Sequence, residues 1–242
     1  MKLDILAIAA HPDDVELGCS GVLLMEKMNG KKIGVVDLTQ GELGTRGTPE
    51  IRAAESEAST KIMGLDAREN LGLADAFFQN DKASQLKIIT AIRKYQPEII
   101  LANAPSDRHP DHGRGGKLIA DSAFYSGLRK IETFENGVAQ QAWRPKYVFH
   151  FLQDRFLQPD FVFDITPVME QKIESIRAFK SQFDTVKDDE PQTYISTPAF
   201  LDSIIYRAKM LGKMIGVEYA EGFITEKMVG INNFEAFIQQ VT

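Results

Sequence analysis

The stretch LDILAIAAHPDD, residues 3–14, decides the fold of this chain. Its apolar run from Leu3 to Ala10 ends in a His-Pro-Asp-Asp loop, and a segment of helical period follows from Val15 to Met28. Short apolar runs bounded by loop residues are typical of buried strands. The stretch therefore predicts a strand that leads through a charged loop into a helix, which is the first unit of an α/β sheet.

The same alternation of strand and helix continues through the first half of the chain. Parallel strands joined by crossover helices follow from this rhythm. We expect further strands at Lys32–Leu38, near Arg68–Leu71 and at Ile99–Ala104, and helices at Pro49–Met63, at Lys82–Tyr95 and from about Gly113 to Ser126.

The pattern loosens after Gly127, but no internal repeat or linker divides the chain. We expect a single domain over residues 1–242, with a core at about 1–126 and a C-terminal elaboration at about 127–242. The elaboration is expected to hold an irregular segment at Glu132–Pro145, strands at Tyr147–Leu152 and Phe161–Asp164, helices at Pro167–Ala178 and Pro198–Ile215, and a polar loop, Thr185–Pro198, as a candidate lid.

Composition excludes several classes of protein. The formal net charge is -6 and the lysines and arginines are scattered, so the basic surface that nucleic-acid binding requires is not predicted. Cys19 is the only cysteine, which excludes an intramolecular disulfide or a multi-cysteine metal site and fits a reducing cytoplasm. No stretch approaches the roughly 20 apolar residues that span a bilayer, so a membrane-spanning role is not expected.

Two short segments carry the candidate chemistry. Ala10-His11-Pro12-Asp13-Asp14 and Arg108-His109-Pro110-Asp111-His112 contain three of the four histidines, and each follows an apolar strand. Ligands of open α/β sheets bind beyond the carboxyl ends of the strands, where the strand order reverses, and the first and fourth strands are neighbours there in the commonest order. We therefore predict that the two segments meet in one cleft.

Two imidazoles and one carboxylate are the ligand set of a catalytic zinc site with an open position. His11, Asp14 and His112 provide it, and such a metal activates water and polarises a carbonyl oxygen. Asp13 and Asp14 are adjacent in sequence, so their side chains cannot easily face the metal together. Asp13 is therefore the candidate general base. His109, one turn from His112, would steady the oxyanion or protonate the leaving amine.

A structural interpretation competes with this chemistry. Asp13 or Asp14 could cap the following helix, and a lone histidine in a loop is more often structural than a ligand. Three histidines and three aspartates in two mirrored segments favour the joint metal site. His150, inside an apolar strand, is instead expected to be an interior residue, and Cys19 is expected to be a small packing residue on the first helix.

The two segments are similar to the Ala-His-Pro-Asp-Asp and His-Pro-Asp-His motifs of the LmbE-like (PIG-L type) N-acetylglucosaminyl deacetylase family. Thr39-Gln40-Gly41-Glu42 and Arg52 with Glu55 resemble its substrate-side elements. The resemblance implies an α/β, Rossmann-like three-layer sandwich with a mostly parallel sheet. It also implies a homo-oligomer, with Zn²⁺, Fe²⁺ or another divalent metal on His11, Asp14 and His112, Asp13 as base, and His109 as charged partner of the tetrahedral intermediate.

Within the family, four further segments look most like the bacillithiol-biosynthesis branch, whose substrate is N-acetylglucosaminyl-malate. By that resemblance Arg52 contacts the sugar, while Arg144 and Tyr194 close over the site. Arg52 pairing with Glu55 or Glu57, and Tyr194 packing under the acidic loop, are the structural alternatives. A dianionic malate would favour cleft arginines, for which Arg46, Arg52, Arg108 and Arg144 are the candidates. The four segments are residues 42–47, 143–145, 193–196 and 216–221.

Three other functions remain open at this point. The enzyme could deacetylate another N-acetylated sugar or amide. The same ligand set also binds ferrous iron in oxygenases, although a second carboxylate beside the ligand loop is then unexplained. A non-catalytic sugar-binding module is the third, while phosphate binding is disfavoured because no G-x-G-x-x-G follows the first strand. No G-x-S-x-G motif supports a serine hydrolase.

Overall fold

The computed structural model describes residues 1–184, 191–231 and 233. Within these residues seven strands form one sheet and two more form a hairpin. The sheet contains β1 (Ile5–Ala9), β2 (Ile33–Thr39), β3 (Ala67–Leu73), β4 (Ile99–Ala102), β7 (Tyr147–Phe151), β8 (Phe161–Asp164) and β9 (Ala220–Thr225), and the hairpin contains β5 (Phe134–Glu135) and β6 (Val138–Ala139).

Helices connect the strands and cover the sheet. They are α1 (Asp14–Gly18), α2 (Ser20–Met28), α3 (Pro49–Met63), α4 (Lys82–Tyr95), α5 (Pro110–Tyr125), α6 (Met169–Arg177), α7 (Lys180–Phe183) and α8 (Pro198–Ile215), with a 3-10 turn at Thr166–Val168. No helix among the described residues is long and apolar enough to cross a bilayer.

The sheet order confirms that the first and fourth strands are neighbours. The order is β3-β2-β1-β4-β7-β9-β8. Ile5 of β1 is in register with Ile33 of β2 on one side and with Ile99 of β4 on the other, and both pairings are parallel. β7 runs parallel to β4, whereas β9 is antiparallel to both β7 and β8. The predicted α/β fold with a mostly parallel sheet is confirmed.

Side chains of β1 alternate between two hydrophobic cores, as the period of a strand requires. Ile5 and Ala7 pack into a core that contains Leu23 of α2. Leu6 and Ile8 pack on the opposite face with Ile88 of α4 and, in the same core, Leu118 of α5. Burial on both faces explains why the strand reads as a continuous apolar run, and it gives the sandwich its three layers.

The single helix predicted at Val15–Met28 is wrong, because the chain breaks at Cys19 into α1 and α2. A buried ion pair from distant segments lies at the break, with Lys172 Nζ 2.8 Å from Glu221 Oε1. Lys172 donates to the carbonyl of Leu17 at 3.0 Å, and Glu221 accepts the N–H of Val22 at 2.8 Å. The pair thereby caps the end of α1 and the start of α2.

Several other boundaries differ from the sequence predictions. α5 begins at Pro110 rather than at about Gly113, so it includes the second His-Pro-Asp segment. The segment predicted to be irregular, Glu132–Pro145, contains the β5–β6 hairpin, and α7 and β9 were not predicted. Residues 185–190 of the predicted lid lie outside the described residues.

Candidate active site

The carboxyl ends of β1, β4 and β7 open into a cleft of about 450 Å³. Both His-Pro-Asp segments line it, so the predicted meeting of the two loops is borne out by the fold. Leu43, Asp75, Gln153, Tyr194, Phe200 and Ile204 from other loops and from α8 also line the cleft.

His11 is oriented by two carboxylates on one side of its ring. Its Nε2 lies 3.1 Å from Asp75 Oδ1 and 3.3 Å from Asp111 Oδ2. These acceptors place the ring proton on Nε2, which leaves Nδ1 as the electron-pair donor. Nδ1 faces Asp14, with 3.5 Å to Oδ2.

His112 is oriented in the same manner but through its other nitrogen. Its Nδ1 lies 2.5 Å from Asp107 Oδ2, and its Nε2 lies 3.1 Å from Asp14 Oδ1. Metal-binding histidines typically donate their second ring N–H to a carboxylate, which fixes the tautomer and the ring orientation. Both imidazoles therefore carry the arrangement that metal ligation requires.

The donor groups of His11, Asp14 and His112 lie close to one another. Tetrahedral zinc with bonds of about 2.0–2.2 Å puts neighbouring ligand atoms roughly 3.3 Å apart. Asp14 Oδ2 lies 3.5 Å from His11 Nδ1, and Asp14 Oδ1 lies 3.1 Å from His112 Nε2, so the two histidines contact different oxygens of one carboxylate. Burial lowers the pKa of His112, but the charge of Asp14 and the bond to Asp107 raise it to about 9 overall. The pocket thus favours positive charge, whether from a proton or from a metal cation.

Two other sets of side chains among the described residues have donor atoms that all lie within 4.8 Å of one another. They are His11, His109 and His112, and His11, Asp75 and Asp111. His109 caps α5, however, and its Nδ1 accepts the backbone N–H of Asp111 at 3.3 Å. Asp14 contacts both His11 and His112, so these three residues remain the candidate ligand set.

Two amides that sequence reasoning missed hold Asp14. Gln153 Nε2 donates to Asp14 Oδ1 at 2.6 Å, and Asn103 Nδ2 donates to Oδ2 at 3.1 Å. Asn103 Oδ1 also accepts the N–H of Ala10 at 2.8 Å, which ties the end of β1 to the end of β4. Asn103 follows β4 directly and Gln153 follows β7 closely, so their positions at carboxyl strand ends could have drawn attention to them.

Asp13 adopts an unusual backbone conformation, with φ of 106° and ψ of -24°. Its side chain makes no capping hydrogen bond to α1, so the capping alternative is wrong for this residue. Its Oδ2 instead lies 3.0 Å from Arg52, and both side chains are buried. Burial raises the pKa of Asp13, Arg52 opposes that shift, and repulsion from Asp14 adds to it. A buried carboxyl group with a raised pKa can accept a proton near neutral pH.

His109 lies in the cleft wall with its capping nitrogen occupied. Burial lowers its pKa, and the nearby His11 and His112 lower it further. In the neutral imidazole the proton is then on Nε2, because Nδ1 acts as acceptor. His109 is therefore arranged to donate a hydrogen bond from Nε2.

The mouth of the cleft holds Arg108, Asp154 and Tyr194. Arg108 Nε lies 3.2 Å from Asp154 Oδ2, and its guanidinium lies 4.3 Å from the centre of the Tyr194 ring. The Tyr194 hydroxyl donates to Asp154 Oδ1 at 3.1 Å. With 42% of its side chain exposed, Arg108 is the accessible arginine of the cleft lining. Arg46 is buried and donates to the carbonyl of Asp184.

The predicted placement of Arg144 over the site is wrong. Its guanidinium lies 4.2 Å from the centre of the Phe124 ring and donates to the carbonyl of Phe124 at 3.0 Å. Arg144 precedes β7, which starts at Tyr147, so it lies near the amino end of that strand. The cleft is at the carboxyl ends, on the opposite edge of the sheet.

Comparisons with known proteins agree with this geometry. The family described as PIG-L, GlcNAc-PI de-N-acetylase, matches residues 6–123. Diacetylchitobiose deacetylase of Thermococcus kodakarensis is 27% identical over 229 residues, which cover 90% of this chain and 81% of that protein. The probable N-acetyl-alpha-D-glucosaminyl L-malate deacetylase 2 of Bacillus subtilis is 25% identical over 75% of this chain and 84% of its own length.

The fold is also similar to a solved structure. The crystal structure of the conserved protein TT1542 from Thermus thermophilus superposes with a TM-score of 0.84 at 32% identity. The match covers 95% of this chain and 97% of that one.

Proposed function

Because the chain belongs to the PIG-L family and is an N-deacetylase, we propose that it hydrolyses the acetamide of an N-acetylglucosaminyl conjugate, with N-acetylglucosaminyl-malate as its substrate. One observation carries the reaction type. Loops that lie about a hundred residues apart in sequence bring His11 and His112 into contact with Asp14, next to Asp13, which supports a metal-assisted hydrolysis.

Each residue of the site has a separate role in the proposed reaction. When held by His11, Asp14 and His112, a divalent cation such as Zn²⁺ or Fe²⁺ would polarise the acetamide carbonyl and lower the pKa of water. Asp13 accepts a proton from the water that attacks the carbonyl carbon. His109 donates its Nε2 hydrogen bond to the developing oxyanion. The carbon–nitrogen bond then breaks, the amine nitrogen takes the proton that Asp13 accepted from water, and acetate and the free amine leave.

Arg108 supports the malate conjugate as substrate. It lines the cleft and its side chain is 42% exposed, so it can meet an anionic group attached to the sugar. A neutral disaccharide, as in the diacetylchitobiose deacetylase of Thermococcus kodakarensis, is the alternative substrate class.

The test is acetate release from three substrates in parallel: N-acetylglucosaminyl-malate, N,N'-diacetylchitobiose and N-acetylglucosamine. We expect turnover with metal-loaded protein, little after chelation, and the highest kcat/KM for the malate conjugate. Arg108→Gln should raise KM for the malate conjugate about tenfold, the loss of roughly one charged hydrogen bond, and leave chitobiose turnover unchanged. Arg144→Gln is the matched control, since Arg144 lies outside the cleft.

Other outcomes would change the proposal. A higher kcat/KM for diacetylchitobiose would replace the malate conjugate by a neutral saccharide. Turnover that requires molecular oxygen would indicate the ferrous oxygenase. Sugar binding without acetate release from any of the three substrates would indicate a binding module.

A further inference from the structure

We propose that Arg52 is a positioning residue for Asp13: its guanidinium holds the Asp13 carboxylate and the left-handed backbone beneath it in the geometry that proton transfer requires. The inference rests on the proposed function, in which Asp13 accepts a proton from water. It differs from the role that the sequence resemblance implies, in which Arg52 contacts the sugar.

The first argument is the set of contacts that Arg52 makes. Its Nη2 lies 3.0 Å from Asp13 Oδ2 and also donates to the carbonyl oxygen of Pro12. One nitrogen therefore binds the peptide that precedes Asp13 and the Asp13 side chain itself. Because the two contacts flank the φ torsion of Asp13, they fix both the backbone and the carboxylate.

The second argument is the strain at Asp13. A φ of 106° is unfavourable for any residue with a Cβ, and such conformations persist only when surrounding contacts hold them. Helix α1 gives little help, since it has five residues and Asp13 makes no side-chain cap to it. The buried salt bridge to Arg52 is the strong contact that the structure shows for the Asp13 carboxylate.

The third argument is that Arg52 is itself enclosed. It lies on α3, whose start is fixed by Thr48 accepting the N–H of Ile51. The Phe179 ring lies 6.0 Å from the guanidinium, and the turn at Gly41 covers Nη1 so closely that a Cβ there would lie 3.2 Å away. Only 5% of the Arg52 side chain is exposed. Arg52 also lines the cleft, so the enclosure holds its guanidinium against Asp13 at the edge of the substrate site.

The experiment compares kcat and KM for Arg52→Met and Arg52→Lys with the wild type, on whichever N-acetyl sugar the wild type hydrolyses. We expect Arg52→Met to lower kcat about 100-fold, as a misplaced catalytic group does, and to leave KM within threefold. Arg52→Lys keeps one donor group, so its kcat should lie between that of Arg52→Met and that of the wild type. A raised KM with unchanged kcat would overturn the proposal in favour of a sugar contact.

A double-mutant cycle tests whether Arg52 acts through Asp13. Adding Arg52→Met to Asp13→Asn should change kcat by less than threefold, because the group that Arg52 positions no longer accepts protons. A further 100-fold loss would show an independent role and overturn the proposal. Metal content provides a readout besides activity, and it should equal that of the wild type in Arg52→Met, since Arg52 contacts Asp13 rather than a proposed ligand.

Two further variants keep the test interpretable. Arg93→Met removes another buried arginine, one that donates to the carbonyls of Ser126 and Leu128, and should leave kcat per folded molecule unchanged. Gly41→Ala should lower kcat with KM unchanged, because its Cβ presses on Arg52 and its φ is 66°. Wild-type protein that releases no acetate from any N-acetyl sugar would instead refute the proposed function. In that case equal urea unfolding midpoints for Arg52→Met and wild type would refute the Arg52 contact as well.

Discussion

The two segments share the sequence His-Pro-Asp but differ in backbone conformation. In the first, Pro12 and Asp13 lie outside the helix, Asp13 has a φ of 106°, and α1 has five residues with no side-chain cap. In the second, His109 is the cap, Pro110 occupies the first turn, and α5 runs for 16 residues. The second segment follows local helix rules, whereas the first depends on contacts from elsewhere in the chain.

The difference corresponds to a difference in chemical role. In the proposed reaction, the strained segment presents the Asp13 carboxylate beside the proposed metal ligands, where it accepts a proton without binding the metal. The regular segment presents imidazoles from the first turn of a helix that is fixed closely to the sheet. A Cβ at Gly116 of α5 would lie 2.6 Å from the carbonyl oxygen of Asn103, so the helix packs directly on the loop that follows β4.

The largest expected effect concerns the strained segment. Asp13→Asn should lower kcat about 1,000-fold, because the amide does not accept a proton from water, and general-base catalysis is typically worth ~10²–10⁴-fold. Metal content should be unchanged. Asp121→Asn, a carboxylate that pairs with Lys117 at the surface, is the control. Full turnover by Asp13→Asn, measured as acetate release, would remove the functional distinction between the two segments.

The second-largest expected effect concerns Asn103, whose side-chain amide links the two segments. Asn103→Ala removes a donor to Asp14 and an acceptor for Ala10, so zinc affinity should fall about 10–100-fold, the usual cost of losing a residue that orients a metal ligand. Asn80→Ala is the matched control, since Asn80 is exposed and contacts Asp121. Competition with a chelator measures the affinity. Equal affinities in the two variants would show that Asn103 does not orient Asp14.

The smallest expected effect is on the free energy of unfolding. The difference in stability between a glycine and an alanine variant should have opposite signs in the two segments. Asp13→Gly should be more stable than Asp13→Ala by about 1 kcal/mol, since both lose the carboxylate but only alanine has a Cβ in a left-handed conformation. At Asp111, in the first turn of α5, the alanine variant should be the more stable one, by roughly 0.5 kcal/mol. Urea unfolding measures both differences. The same sign at both positions would contradict the assigned backbones.

Local signals made much of the fold predictable. The bounds of α3 and α4 agree with the sequence predictions because Thr48 and Asp81 cap their starts and Gly64 ends α3 in a left-handed conformation. Continuous apolar runs identified the buried strands, and the strand order then brought the two histidine segments together. The start of α5 was also readable, since Pro110 is a typical first residue of a helix.

Features that depend on distant residues could not be predicted. The break between α1 and α2 is fixed by Lys172 and Glu221, which lie 155 residues from Leu17 and 199 residues from Val22. Asn103 and Gln153 belong to no motif. Their amide side chains are uncharged, so they do not stand out in the sequence as candidate site residues. Arg144 was misplaced because its role was taken from the family resemblance, although a residue just before the strand that starts at Tyr147 lies at the amino end of that strand. The salt bridge between Asp13 and Arg52 of α3 likewise joins residues that are distant in sequence.

The central claim is that His11, Asp14 and His112, rather than the three histidines, hold one divalent cation. Equilibrium dialysis with zinc, followed by metal analysis, tests it on wild type, Asp14→Asn, His112→Ala and His109→Ala. The account predicts about one ion per chain in wild type and His109→Ala, and little metal in Asp14→Asn and His112→Ala. Metal retained by Asp14→Asn and lost by His109→Ala would contradict it.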